Sequence, residues 1–212
     1  MTTVKQFHSE NFQILCDQLG RKDSQLHSII KTYGYPPLWN RPQGFSTLIH
    51  IILEQQVSLA SAKAAFNKLR EKLGEITPAK LLLLTDEEMK ACYFSRQKMK
   101  YARHLAESIM STALKLESLA AHPDDVIRHE LKRIKGIGDW TADIYLLFAL
   151  QRTDIFPVGD LAMMNAFKEV KKLNNGVSRE EIIELSKSWS PHRSIATMLL
   201  WHYYICKKGL TV

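Results

Sequence analysis

Cysteine is scarce and scattered in this chain. Cys16, Cys92 and Cys206 are the only three, and thiols so few and so far apart make no disulfide framework. No pair has CxxC spacing, which removes the thiolate ligand set of a structural zinc site or an iron–sulfur cluster. Their apolar neighbours point to buried free thiols, which fits a reducing compartment. No apolar run is long enough to span a bilayer, and the opening MTTVKQFHSENF lacks the apolar centre of a secretory signal. The expectation is a soluble, intracellular protein with no membrane role. No segment alternates apolar and polar residues as a half-buried strand does, and neither a low-complexity tract nor an internal repeat is present. Acids are outnumbered as well. Against 22 Asp and Glu stand 29 Lys and Arg, giving a net charge of +7 and a pI of about 9.3. The imbalance favours a polyanionic partner, nucleic acid first; the alternative is a solvated basic surface.

What the chain does have is helical periodicity. Its 45% hydrophobic content over 212 residues is enough to bury a core. Ser9 can cap a helix reaching Leu19, and Asp23 can start another that Gly34 ends. YGYPPLWNRPQG (33–44) reads as a loop. Helices are predicted over Phe45–Leu53 and over Leu59–Leu73, with Gly74 as the stop. Thr85-x-x-Glu88 spells a capping box. Ser95 opens a long helix through RQKMKYARHLAESIMSTALK, with Met99, Ala102, Leu105, Ala106, Ile109 and Met110 inward. Helices over 123–134, 139–151, 160–172 and 179–187 follow, with a turn at Asn174-Asn175-Gly176. Ser190-Pro191 reads as an N-cap with proline at the first position of the last helix. The fold class is all-α, with about ten helices.

The stretch LKRIKGIGDWTADIYLLFALQRTDIFPVGD (131–160) carries the chemistry. Lys135-Gly136-Ile137-Gly138 joins two helices, and its glycines allow positive φ and close approach of another backbone. The second helix then starts with N–H groups that lack intrahelical acceptors, which with the helix dipole makes a phosphate site. Lys132, Arg133 and Lys135 add cationic reach, gripping a nucleic-acid backbone without reading its sequence. The alternative is a plain αα-turn with a glycine cap. Downstream, Asp160 follows Pro157 and Gly159. On local sequence alone it is an N-cap.

These residues resemble the helix–hairpin–helix plus Gly/Pro…Asp signature of the HhH-GPD DNA glycosylase superfamily. HIILEQQVSLASAKAAF (50–66), ACYFSRQKMKYARHLA (91–106) and SWSPHRSIATMLLW (188–201) agree with its alkylation-repair branch, closest to the 3-methyladenine DNA glycosylase II type. The resemblance covers residues 23–207. It implies two packed helical subdomains, about 1–45 with 155–212 and about 46–154, with a lesion cleft between them. It also implies double-stranded DNA with a damaged base as partner. Asp160 is then the catalytic acid, and a fixed carboxylate beside the sugar suits a developing oxocarbenium ion. Asp139, Asp143 and Asp154 are the competing carboxylates. Trp140 stands where bifunctional relatives carry a Schiff-base lysine, so base removal without strand cleavage is expected.

By the same resemblance Trp140 and Trp201 line the base pocket, where an aromatic wall attracts a cationic alkylpurine by about 0.5–2 kcal/mol. Core packing is the alternative for both. Gln55 faces the pocket, with Ile144 and Tyr145 beside it; some members carry an aromatic residue at the position of Ile144. Gln56 fills the gap left by the everted base. Lys132, Arg133, Lys135, Gly136, Ile137, Gly138, Thr141 and Arg193 contact the DNA backbone, and His192 and Arg193 either touch phosphate or brace the turn of Asp160. The carbonyls of Lys132, Ile134 and Ile137 would hold a monovalent cation, Na or K, with DNA bound. No organic cofactor and no iron–sulfur cluster are expected, and a monomer in the cytoplasm, nucleoid or nucleus suits the task. Three other readings stay open: a glycosylase for an oxidised or deaminated purine, a non-catalytic DNA-binding hairpin module, and a helical protein–protein scaffold.

Overall fold

The computed structural model of the protein describes residues 6–174 and 176–210. Among these the chain forms thirteen α-helices and no strand, with one isolated antiparallel bridge between Gln6 and Arg152. In chain order they are α1 (Phe12–Lys22), α2 (Ser24–Tyr33), α3 (Phe45–Glu54), α4 (Leu59–Leu73), α5 (Pro78–Leu82), α6 (Asp86–Ala91), α7 (Arg96–Met110), α8 (Leu116–Leu119), α9 (Asp124–Lys132), α10 (Asp139–Phe148), α11 (Leu161–Val170), α12 (Arg179–Ser186) and α13 (Arg193–Lys208). A 3-10 turn, Lys187–Trp189, precedes α13. The all-α expectation holds. No helix among the described residues is long and apolar enough to cross a membrane.

The chain divides into two compact units, Arg41–Tyr145 and Met1–Asn40 with Leu146–Val212; the division falls inside α10. The Arg41–Tyr145 unit is built on α3. Phe45, Leu48, Ile49, Ile51, Ile52 and Leu53 are all buried, and a helix that is apolar on every side must be wrapped by others. α4 and α7 do the wrapping, and α5 and α6 pack in turn on α7. Each Leu or Ile removed from water contributes about 1.5–3 kcal/mol. Local chemistry sets the ends. Ser58 and Ser95 cap α4 and α7 by accepting N–H groups three residues on, and Thr85 and Glu88 form the expected capping box.

The other unit is centred on α13, where Ser194 to His202 are buried without a break. α1, α2 and α11 pack against it. Asp23 ties this unit together. One carboxylate oxygen caps α2 by accepting from Gln25 and Leu26 N–H. The other accepts the Trp189 indole N–H at 2.7 Å and pairs with Lys171. Burial works to raise its pKa, but Lys171 and Trp189 outweigh that and hold it below the usual carboxylate range.

Several element ends differ from expectation. α1 starts at Phe12 behind Asn11 rather than from a Ser9 cap, because the Asn11 side-chain oxygen Oδ1 accepts the His8 N–H and closes the turn there. α7 stops at Met110 instead of running to Lys115; Thr112 takes φ +60 and Met110 is exposed. α10 stops at Phe148 rather than 151, where Gln151 takes φ +51. Ser190 does not cap the last helix. Its hydroxyl donates to Asp154, the Ser190–Pro191 peptide is cis, and α13 begins at Arg193. The one-turn α5 and α8 were too short for periodicity to show. Cys16 and Cys92 are buried as expected, but Cys206 is exposed on the last turn of α13. The turn expected at 174–176 includes Asn175, which lies outside the described residues.

Candidate active site

The hairpin lies in the Arg41–Tyr145 unit. α9 buries Ile127 and Leu131 on one side, and Ile134 and Ile137 continue that stripe through the link, about 5% exposed each. Two buried isoleucines thus pin a loop whose Arg133, Lys135 and Gly138 are exposed. Gly136 sits at φ +96, and a Cβ there would lie 2.1 Å from the Tyr101 ring, so no side chain fits. Gly138 is exposed, with open space where a Cβ would be. Gln55 reaches across from the end of α3: its amide donates to the Gly136 carbonyl and to the Thr141 hydroxyl, both at 2.9 Å. Thr141 is itself buried. His104 Nδ1 accepts the Lys135 N–H at 3.0 Å.

The cations predicted here stand at the surface. Lys132 pairs with Asp139 at 2.5 Å and Arg133 with Glu130 at 2.9 Å, while the side chain of Lys135 is exposed. Exposed pairs of this kind are worth about 0–1 kcal/mol, so a phosphate can displace the carboxylates at little cost. The carbonyls of Lys132, Ile134 and Ile137 belong to the same turn. Lys132 ends α9, so its carbonyl has no intrahelical donor. That of Ile134 accepts the Ile137 N–H at 3.0 Å and keeps a second lone pair.

Asp160 lies in the other unit, at the N-cap of α11. Its N–H donates to the Pro157 carbonyl at 2.8 Å, closing a turn. Its Oδ1 accepts the Met163 N–H at 2.8 Å and the Trp201 indole N–H at 3.0 Å. These two hydrogen bonds hold the side chain at a helix end that favours an anion. Trp201 is 9% exposed and packs its ring 5.4 Å from that of Phe148.

The segment leading to Asp160 is anchored to the start of α13. The buried Ser194 hydroxyl donates to the Arg152 carbonyl at 2.5 Å and accepts the Ile155 N–H at 2.8 Å, while its own N–H donates to Thr153. Arg193 grips Asp154 through Nε at 2.8 Å and Nη2 at 2.9 Å. The burial of Asp154 would raise its pKa, but Arg193 and the Ser190 hydroxyl outweigh that and lower it. Arg193 is thus tied to Asp154, in the segment that leads to Asp160.

Asp139 pairs with Lys132, Asp143 with Arg128 at 2.6 Å, and Asp154 with Arg193. Of the other expected residues, Trp140 is half-buried near the start of α10. Ile144 and Tyr145 are 2% and 1% exposed, and the Tyr145 hydroxyl accepts the Gly44 N–H at 3.1 Å. Gln56 is exposed just past α3, at φ +57. Sequence reading missed Ser194, Phe148 as the neighbour of Trp201, and Tyr101 beneath Gly136. Only Gly136 gave a signal, a glycine demanding a close neighbour.

Residues 49–192 match the HhH-GPD superfamily of base excision DNA repair proteins. The chain is 28% identical over 186 residues to the DNA-3-methyladenine glycosylase 1 of Schizosaccharomyces pombe, covering 84% of this chain and 82% of that one. A solved structure of the Schizosaccharomyces pombe 3-methyladenine DNA glycosylase, in complex with abasic DNA, superposes with a TM-score of 0.80 at 26% identity, over 89% of this chain and 95% of that one. The crystal structure of a DNA-3-methyladenine glycosidase from Bacillus halodurans gives 0.74 at 28% identity, over 92% and 91%. A Bacillus subtilis relative, 26% identical over 186 residues, is longer, and this chain spans 65% of it. Hairpin, carboxylate and match together place the chain in the HhH-GPD superfamily of base excision DNA repair proteins.

Proposed function

We propose that this protein is a monofunctional DNA glycosylase that hydrolyses the N-glycosidic bond of alkylated purines, 3-methyladenine and 7-methylguanine, in double-stranded DNA. The observation that carries the reading is the carboxylate of Asp160, held at a helix N-terminus by the Met163 N–H and the Trp201 indole. Its class is supported by the relatives named DNA-3-methyladenine glycosylase.

An alkylated purine is cationic, so its departure from C1′ carries the bonding electron pair away as a neutral base. Positive charge develops on the sugar. The fixed charge of Asp160 stabilises it, and as water oxygen bonds C1′ its proton passes to the carboxylate. Little acid assistance to the leaving group is needed. The hairpin N–H groups, with Lys132, Arg133 and Lys135, hold phosphate. Gln56 takes the place of the everted base, and Trp140 and Trp201 supply electron-rich faces for a cationic one. Tryptophan at position 140 cannot form a Schiff base, so the product is an abasic site in an uncut strand. The carbonyls of Lys132, Ile134 and Ile137, neutral oxygens in one turn, suit a hard monovalent cation, which would link the hairpin to a phosphate. The protein works as a monomer where the cell keeps its DNA.

The test is release of 7-methylguanine or 3-methyladenine from methylated DNA. Asp160→Asn keeps the size and the capping oxygen but removes the charge. It is expected to lower single-turnover release at least roughly 100-fold while binding to an abasic analogue persists. Undiminished release would refute the role. Binding without release from any lesion, by the unaltered protein, would instead mark a non-catalytic hairpin module.

A further inference from the structure

We infer that α7 is a bracket joining the insertion loop to the phosphate grip, with Lys98 as its positioning residue. The inference rests on the glycosylase reading and adds to it a residue that touches neither DNA nor the reacting atoms.

Just past α3 the chain presents Gln56, Val57 and Leu59 outward, the last two 47% and 52% exposed. A non-glycine residue at the φ of +57 seen for Gln56 persists only where its surroundings dictate it. Two contacts do so from the stem of the loop. Gln55 crosslinks it to the hairpin through Gly136 and Thr141. Lys98 Nζ donates to the Leu53 carbonyl at 2.6 Å, at the end of α3 where carbonyls lack intrahelical donors. Burial lowers the pKa of Lys98. Desolvating an ammonium costs free energy, so a methionine would fill the same space more cheaply. The lysine earns its place by holding one backbone atom.

The same helix then reaches the hairpin. Tyr101 lies under Gly136, and His104 accepts the Lys135 N–H. Lys98, Tyr101 and His104 are three apart and share one side of α7. One rigid element therefore sets both the insertion loop and the loop that grips phosphate. Eversion requires a side chain to enter the base stack at a fixed offset from the gripped phosphates, and a misplacement of about 1 Å can cost 100-fold in rate. The bracket matters for eversion and not for cleavage of a base already outside the stack.

The experiment compares single-turnover release of 7-methylguanine from a fully paired duplex and from a three-nucleotide bulge that needs no eversion. Lys98→Met keeps the bulk and removes the donor. It is expected to slow the paired substrate roughly 10- to 100-fold while the bulged one stays within about two-fold. Lys98→Arg, which keeps a donor, is expected to restore most of the paired rate. Should Lys98→Met fail to fold by circular dichroism, His104→Phe carries the same comparison and is expected to show the same split. Equal losses on both substrates, or a folded variant with an unchanged paired rate, would overturn the proposal while leaving the glycosylase reading intact. Failure of the unaltered protein on both substrates would remove that reading and the proposal with it.

Discussion

At the scale of residues, the indole of Trp201 and the carboxylate of Asp160 form a unit that a phenylalanine would split. Trp201→Phe keeps an aromatic ring against Phe148 and removes the N–H that reaches Oδ1. A hydrogen bond to a charged group is worth about 1.5–3 kcal/mol. Part of that fixes the carboxylate where charge develops, so kcat is expected to fall about 10-fold, and the melting temperature to drop by a few degrees, with KM moved less than kcat. A rise in KM with kcat unchanged would show the indole acting on the base alone. The position of Asp160 was legible because the turn before it and the helix after it have local signatures. Its indole donor was not, for the two lie 41 residues apart and no local pattern encodes so distant a bond. Gln55 makes the same point. Its place at the end of a helix was plain, but its partners are 81 and 86 residues away.

Among elements, capping chemistry carried the reading furthest. The box at Thr85, the Asp23 cap and the Gly74 stop appear where their residue types predict. One misplaced end came where a cap residue was engaged elsewhere, as Ser190 is by Asp154, and two came where Thr112 and Gln151 take positive φ. Asp23 carries the larger energetic weight, since it serves α2, Lys171 and Trp189 together. Asp23→Ala leaves a largely buried lysine and an indole without their acceptor, and is expected to destabilise the protein by about 3 kcal/mol, read from urea unfolding. Asp23 and Asp154 both have folded-state pKa values below the ordinary one. Their contribution is complete above the unfolded value of about 3.9 and is lost as pH falls through the folded values. The melting temperature is expected to drop steeply below about pH 4, and Asp23→Asn is expected to flatten that slope. An unchanged slope would assign acid sensitivity to other carboxyls.

For the whole molecule, the excess of seven positive charges was the first sign of a polyanionic partner, though composition alone could not say where it would lie. The hairpin supplies a place to measure. If Lys132 and Lys135 each neutralise one phosphate, removing either should reduce the slope of log affinity against log salt by about 0.9, equally for damaged and undamaged duplex. A change confined to damaged DNA would mean that they act on the lesion. The unforeseen exposure of Cys206 has a practical use. Burial raises the thiol pKa of Cys16 to about 12 and also raises that of Cys92, and both side chains lie inside the fold. A maleimide dye applied near neutrality should mark position 206 alone. Intact-mass spectra should then show a single adduct on native protein and three after guanidine, a gauge of foldedness that consumes no substrate.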